Sequence, residues 1–235
     1  MADQTHTPGG VEHLQRTVAL GLARLQVILM LLIFIPAGTL RFWQGWLFSM
    51  VFLASVVFLT FYFLKHDPHL IENRMKGGPG AEQQRSQKII QSFTGALAAL
   101  LVIVPGLDHR FHWTSVPAPV ALVANALVLL GFLIIYRVFS ENSFAASIVK
   151  VEAGQRVIAT GPYRLVRHPM YAGGALLLLA TPLALGSLWG LPIGIAITAA
   201  IVVRLLDEER YLSANLSGYD EYREKVRYRL LPRVW

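Results

Sequence analysis

The chain has 235 residues, 54% of them hydrophobic and only 15% charged, with a formal net charge of +7 and no cysteine. A soluble domain normally carries charge on about a quarter of its residues, so this composition excludes an ordinary soluble fold and points to a helical protein with several membrane crossings. The missing cysteine excludes a disulfide framework, a thiolate nucleophile and a cysteine metal site. The basic excess lies beside apolar runs, where anionic membrane lipid is a simpler partner than nucleic acid.

Residues 1–17 read as a flexible leader, because Met1–Gly10 is rich in Thr, Pro and Gly. No cleavable signal peptide is expected. The apolar run that starts near Val18 contains Arg24 and leads into Pro36 and Trp43 instead of a small-residue cleavage site. Residues 18–139 form a predicted four-helix membrane region with spans at about Leu25–Leu40, Trp46–Leu64, Ile89–Leu107 and Pro119–Phe139. His66-x-x-His69 and His109-x-x-His112 lack a third ligand and predict no metal site. Asn125, in the middle of a span, reads as an interhelical hydrogen bond.

Residues 140–235 form the predicted catalytic region. They open on a polar connector in which Val149-Lys150-Val151-Glu152 reads as a short extended stretch and turn. The apolar run Tyr171–Val203 is too long for one crossing, since a helix rises about 1.5 Å per residue and the hydrocarbon core is roughly 30 Å thick. Gly186–Pro192 supplies a break, so the run is predicted to fold as a helical hairpin. The fold class is therefore all-α: a polytopic membrane protein with four transmembrane helices, a C-terminal hairpin giving about six crossings, and a tail helix interrupted near Ser217-Gly218. Segments Lys65–Lys88, Arg137–Arg167 and Arg204–Arg233 are rich in Lys and Arg, while the loops near Arg41 and Arg110 are not. The positive-inside rule then places both termini and the rich segments on the cytoplasmic side. Trp43, Trp46, Trp113 and Trp189 fall near the outer ends.

Two clusters carry potential chemistry. In Arg167-His168-Pro169-Met170-Tyr171, Pro169 suits the first position of a helix and holds His168 out of the α region. Arg167 beside the helix N-terminus suits an anionic group, and Tyr163 and Tyr171 suit a hydrogen bond or a flat ring. Interfacial anchoring explains the same residues equally well. In Asp207-Glu208-Glu209-Arg210, adjacent acids raise one another's proton affinity unless cations compensate them. They suit an ammonium or sulfonium, or ion pairs with Arg167 and Arg204. Opposite charge at the two feet of one hairpin is what a zwitterionic ligand requires.

Gly161-Pro162-Tyr163, Arg167-His168-Pro169-Met170-Tyr171-Ala172-Gly173, Glu208-Glu209, and Tyr219 through Pro232 of the tail together resemble the isoprenylcysteine carboxyl methyltransferase family, to which phospholipid methyltransferases are related. The resemblance covers roughly Glu141–Trp235. It implies S-adenosylmethionine as cofactor, with Arg167, His168, Tyr171, Gly173, Glu208 and Glu209 lining its pocket. We expect Glu208 to face the cofactor ammonium and Arg167 its carboxylate. Ordinary helix packing is the alternative for Gly173 and Gly174. Arg204, Arg227 or Arg229 are expected to orient a carboxylate nucleophile, and Glu209 to take the proton of an amine one. The expected acceptor is a lipophilic small molecule or prenylated substrate, with a phospholipid amine as the alternative. A sterol-type membrane reductase using a nicotinamide cofactor shares the Arg-His-Pro-x-Tyr-x-Gly block and the tyrosine-rich tail, but commonly has an acid where this chain has Gly174. A non-enzymatic membrane scaffold leaves the clustered charges without a specific role.

Overall fold

The computed structural model describes residues 8–75, 85–144 and 156–235; the expected extended stretch at Val149–Glu152 lies outside them. Among the described residues all regular structure is helical. The elements are α1 (Pro8–Ala37), α2 (Trp43–His66), α3 (Pro68–Met75), α4 (Arg85–Phe111), α5 (Ala118–Glu141), a 3₁₀ turn (Gly161–Arg164), α6 (Pro169–Ala184), α7 (Leu191–Asn215) and α8 (Tyr219–Lys225).

Among the described residues four helices are long and apolar enough to cross a membrane, over Leu14–Ala37, Trp43–His66, Lys88–Phe111 and Ala118–Glu141. The expected hairpin forms from α6 and α7 around Gly186, whose φ of +74° suits glycine. Of the two hairpin arms, the first is shorter than the four long spans and the second is more mixed in composition. Helix α6 has 16 residues, about 24 Å of rise, and α7 turns polar at Arg204.

Two boundaries differ from expectation. Helix α1 begins at Pro8, inside the stretch read as leader, because an apolar span imposes its helical geometry on flanking polar residues that have adequate propensity of their own. Helix α3 was not expected at all. Its signal was present: Asp67 accepts a hydrogen bond from Leu70 N at 3.1 Å, and Pro68 opens the helix, an N-cap followed by proline at the first position. Leu70 and Ile71 are buried, which fixes α3 against α2.

The closest helix pair is α5 with α6. Gly131 and Gly173 face each other across it: a Cβ on Gly173 would lie 3.0 Å from Gly131 O, and one on Gly131 would lie 2.7 Å from Leu177 Cγ. Small residues thus let the two backbones meet. Asn125 donates to Ala121 O at 2.8 Å within its own helix and to Ala184 O at 3.5 Å at the end of α6, so the mid-span amide does bridge helices.

The α1–α2, α4–α5 and α6–α7 connections gather at one end of the bundle. There the Phe42 ring stacks on His109 at 4.2 Å, Trp113 meets Trp189 edge-on at 6.4 Å, and Asp108 accepts from Ser187 Oγ. The opposite end collects α3, the 3₁₀ turn, the start of α6, the polar half of α7, α8 and the tail. Both expected clusters therefore arrive at the same end.

Candidate active site

Pro169 opens α6, and His168 before it has φ −125° and ψ 62°, outside the α region as its position requires. The extended Arg167-His168 backbone is consequently free to pair with the tail. Arg167 N donates to Tyr228 O at 2.8 Å and His168 N to Arg229 O at 2.9 Å. This pairing lays residues 226–229 directly over the foot of the hairpin.

Helix α7 continues beyond its apolar stretch and returns Glu209 to this foot. Arg167 Nε donates to Glu209 Oε1 at 2.6 Å and Arg229 Nε to Oε2 at 3.0 Å, while His168 Nε2 lies 3.2 Å from Oε1. The Glu209 side chain is only 5% exposed. Burial pushes its carboxyl upward, but the hydrogen bonds from His168, Arg167 and Arg229 outweigh that effect and hold it well below the usual carboxylate range. Arg167 also donates through Nη1 to the carbonyls of Val226 and Arg227, both at 2.8 Å. These bonds latch the tail to the hairpin.

Glu208, one residue earlier, turns a different way. It is half-buried and accepts from Tyr171 OH, while Arg204 Nε donates to the same phenol at 3.1 Å. The Tyr171 ring stacks on His168, with centroids 5.7 Å apart and planes 27° apart. Arg204, Tyr171 and Glu208 thus form a chain that runs beside the Arg167–Glu209–Arg229 group.

Tyr163 joins the tail clasp. Its hydroxyl accepts from Asn142 Nδ2 at 2.9 Å, and its carbonyl accepts from Tyr222 OH at 2.8 Å. Burial pushes the Tyr163 phenol up to about 12. Gly173 is buried in the α5–α6 crossing described above, which gives it the packing role. Of the residues expected at the site, Arg167, His168, Tyr171, Arg204, Glu208, Glu209 and Arg229 form one connected cluster; Tyr163 braces it from the side of α8.

Three residues at this end went unremarked as site residues in the sequence. Tyr219 is 4% exposed, and its hydroxyl has no hydrogen-bond partner among the described residues. Burial pushes its phenol up, and the charges of Glu209 and Glu208 add to the shift. In the sequence it belongs to the near-helical row of tail aromatics, and that pattern signals packing only. Arg223 donates to Ser213 Oγ at 2.9 Å and to Asp220 Oδ1 at 3.2 Å. Arg74 of α3 reaches Met170 Sδ at 3.5 Å.

Cavities lined by described residues adjoin the cluster. One of about 480 Å³ is lined by Leu206, Glu209, Arg210, Ser213, Arg223 and Arg229. The other, of about 560 Å³, is lined by Arg167, Asp220, Arg223 and Glu224. Both signs of charge border each cavity, as an amino-acid zwitterion demands.

Residues 120–217, from α5 to the end of α7, match the family model for phospholipid methyltransferase. Over 147 residues the chain is 28% identical to the Delta(14)-sterol reductase of Mus musculus, an alignment covering 53% of this chain and 33% of the reductase. Over 161 residues it is 30% identical to the lamin-B receptor of Drosophila melanogaster, covering 59% of this chain and 21% of the receptor. The chain therefore spans a third or less of the length of these curated relatives, while the phospholipid methyltransferase match contains Arg167, His168, Tyr171, Arg204, Glu208 and Glu209.

Proposed function

We propose that the chain is an S-adenosylmethionine-dependent methyltransferase of the membrane that methylates the carboxylate of a lipophilic acceptor, such as a prenylcysteine-like or isoprenoid acid. The observation that carries this reading is the division of labour between the two adjacent acids. Glu209 is held by Arg167, His168 and Arg229, and a carboxylate so stabilised is a poor proton acceptor. Its expected service as a base for an amine nucleophile therefore loses support. A carboxylate nucleophile is ionised at neutral pH and needs no base, which suits a site whose central acid is already committed.

S-adenosylmethionine supplies an electrophilic methyl group when bound. The mixed-sign lining of the two cavities fits its amino-acid end, and the buried Tyr219 hydroxyl, without a hydrogen-bond partner among the described residues, suits its hydroxylated sugar. In this reading Glu208 faces the ammonium, and Arg223, which borders both cavities, takes the carboxylate role first expected of Arg167. The remaining work of the chain is positioning and exclusion of water. Arg204 and Arg229 orient the acceptor, and the tail closes over the hairpin foot through Arg167. A lipophilic acceptor enters from the bilayer and the polar cofactor from the cytoplasmic side, where the distribution of Lys and Arg puts this end of the bundle.

A nicotinamide-dependent reductase is the second reading, favoured by the identity with a sterol reductase. Calorimetric titration of the detergent-purified protein with S-adenosylhomocysteine and with NADPH separates them. We expect S-adenosylhomocysteine to bind and Glu208→Gln to weaken it. Binding of NADPH without S-adenosylhomocysteine would overturn the methyltransferase reading in favour of the reductase, and binding of neither to folded protein would leave the scaffold.

A further inference from the structure

The tail does more than cross the hairpin foot. Residues 225–235 carry Lys225, Arg227, Arg229 and Arg233 and no acid, and every other residue in the stretch is apolar or aromatic. Burial sorts these side chains. Leu230 is buried, and Arg229 points inward, with Nε 3.0 Å from Glu209 Oε2. Leu231 and Val234 are 57% and 75% exposed, and Lys225, Arg227 and Arg233 are exposed with them. Leu231 N donates to Trp235 O and Trp235 N to Leu231 O, both at 3.1 Å, so residues 231–235 close into a turn. That turn brings the Trp235 ring to 5.1 Å from Arg229 Cζ, within range of a cation–π contact.

The depth of this tail is set by what it is tied to. Its carbonyls at Tyr228 and Arg229 accept from Arg167 N and His168 N, just before α6. A few residues earlier, a Cβ on Gly161 would lie 2.6 Å from the side chain of Glu141, the last residue of the span Ala118–Glu141. The tail therefore lies where the spans end, at the level of lipid headgroups. Arg164 and Leu165 of the same turn are exposed as well, Leu165 by 62%. Exposed leucine, valine and tryptophan gain by entering a bilayer surface. Those side chains suit any bilayer, whereas an acid-free run of cations selects an anionic one. The distribution of Lys and Arg puts this end on the cytoplasmic side, whose leaflet carries the anionic lipid.

We propose that residues 225–235, with Arg164 and Leu165, are a docking surface for the anionic leaflet of the bilayer in which the protein sits. Docking also steadies the clamp: Trp235, seated at the membrane surface, holds the Arg229 guanidinium against Glu209 and keeps the tail closed over the hairpin foot. The inference is independent of the methyltransferase reading, since it concerns how tightly the tail closes and not the reaction beneath it.

The chain has no cysteine, so Val234→Cys carries a single environment-sensitive fluorophore. The labelled protein is placed in nanodiscs of phosphatidylcholine, alone or with phosphatidylserine, and its emission and quenching by aqueous acrylamide are recorded. Hydrogen exchange at the Arg167 and His168 amides reports the latch. We expect phosphatidylserine to shift the emission to the blue, to protect the label from acrylamide and to slow exchange at both amides. High salt reverses these changes. Lys225→Gln combined with Arg233→Gln keeps the apolar side chains; each cation at a charged surface shifts docking about fivefold, so the pair weakens it about 25-fold. Leu231→Ser keeps the cations and reduces the blue shift. Thermal unfolding in the same nanodiscs verifies the fold of each variant. Equal emission and equal quenching in the two lipids overturn the proposal, as does a phosphatidylserine response that survives loss of both cations. A lipid-dependent label with unchanged amide exchange overturns the link to the clamp and upholds the docking surface.

Discussion

Each end of the bundle buries a carboxyl group, and the two are held by opposite means. At the turn end, Asp108 is 1% exposed and accepts from Thr114 N at 2.7 Å, from Thr114 Oγ1 and from Ser187 Oγ. These neutral donors staple the α4–α5 connection to the α6–α7 turn. At the other end, Glu209 is held by Arg167, His168 and Arg229, and cavities lined by both signs of charge lie beside it. Neutral donors tie two connections together through short, directional bonds. Cationic donors clamp a tail and also create an electrostatic environment in which a charged ligand can be sorted and oriented. The same carboxyl chemistry thus serves architecture at one end and a site at the other.

Removing the charged clamp should have the largest effect. Glu209→Ala strands buried cations, and breaking a buried pair in this way costs about 3–5 kcal/mol; equilibrium unfolding in detergent measures it. A loss of under about 1 kcal/mol would place those cations in the energetic class of solvated surface pairs and dissolve the contrast between the ends. Asp108→Ala comes next. It leaves hydroxyl and amide donors unsatisfied at about 1–3 kcal/mol, and S-adenosylhomocysteine affinity should stay at the wild-type value, because the staple lies at the far end from the cluster. Altered affinity at constant fold would show that the ends are coupled.

Glu208→Gln should show the converse pattern. Affinity for S-adenosylhomocysteine falls about tenfold, near 1.4 kcal/mol, with little change in the unfolding midpoint, since glutamine still accepts from Tyr171. A pH series sharpens the clamp itself. The folded Glu209 carboxyl is held below its ordinary value, so its contribution is fully present above the unfolded value of about 4.3 and is lost as pH falls through the lower folded value. The stability gap between wild type and Glu209→Gln should therefore be constant near neutrality and narrow under acid; a gap that widens under acid would contradict the assignment. The smallest effect belongs to Tyr219→Phe. Its hydroxyl has no partner among the described residues, so stability should change by less than about 0.5 kcal/mol, while cofactor affinity drops if that hydroxyl meets the ligand. Unchanged affinity would return Tyr219 to a packing role.

Much of this layout is legible in the residues. The apolar runs predict the four long helices, Gly186 and Pro192 predict the hairpin, and Ser217-Gly218 predicts the break before α8, where Gly218 sits at φ +81°. The alternation of connections follows as well, because a hairpin must return to the end from which it left. Helix α3 is not marked by an apolar run, since its eight residues are of low hydropathy, although Asp67 and Pro68 announce its start. The division between Glu208 and Glu209 was not legible. Neighbours on a helix point about 100° apart, so one faces the tail and the other Tyr171, and nothing in an Asp-Glu-Glu-Arg string says which.

What the sequence determines alone is what local physics determines: membrane-scale apolar length, helix starts at proline, turns at glycine, and two charged clusters separated by a hairpin. Tertiary structure decides where each side chain's polar atoms end up. It lays the carbonyls of Val226 and Arg227 on Arg167, puts Gly173 against Gly131, and brings Arg74 from α3 to Met170 and Phe139. Those outcomes depend on contacts between residues tens to nearly a hundred positions apart, and a hydrogen bond is decided by position in space to within a fraction of an ångström, which no local pattern encodes.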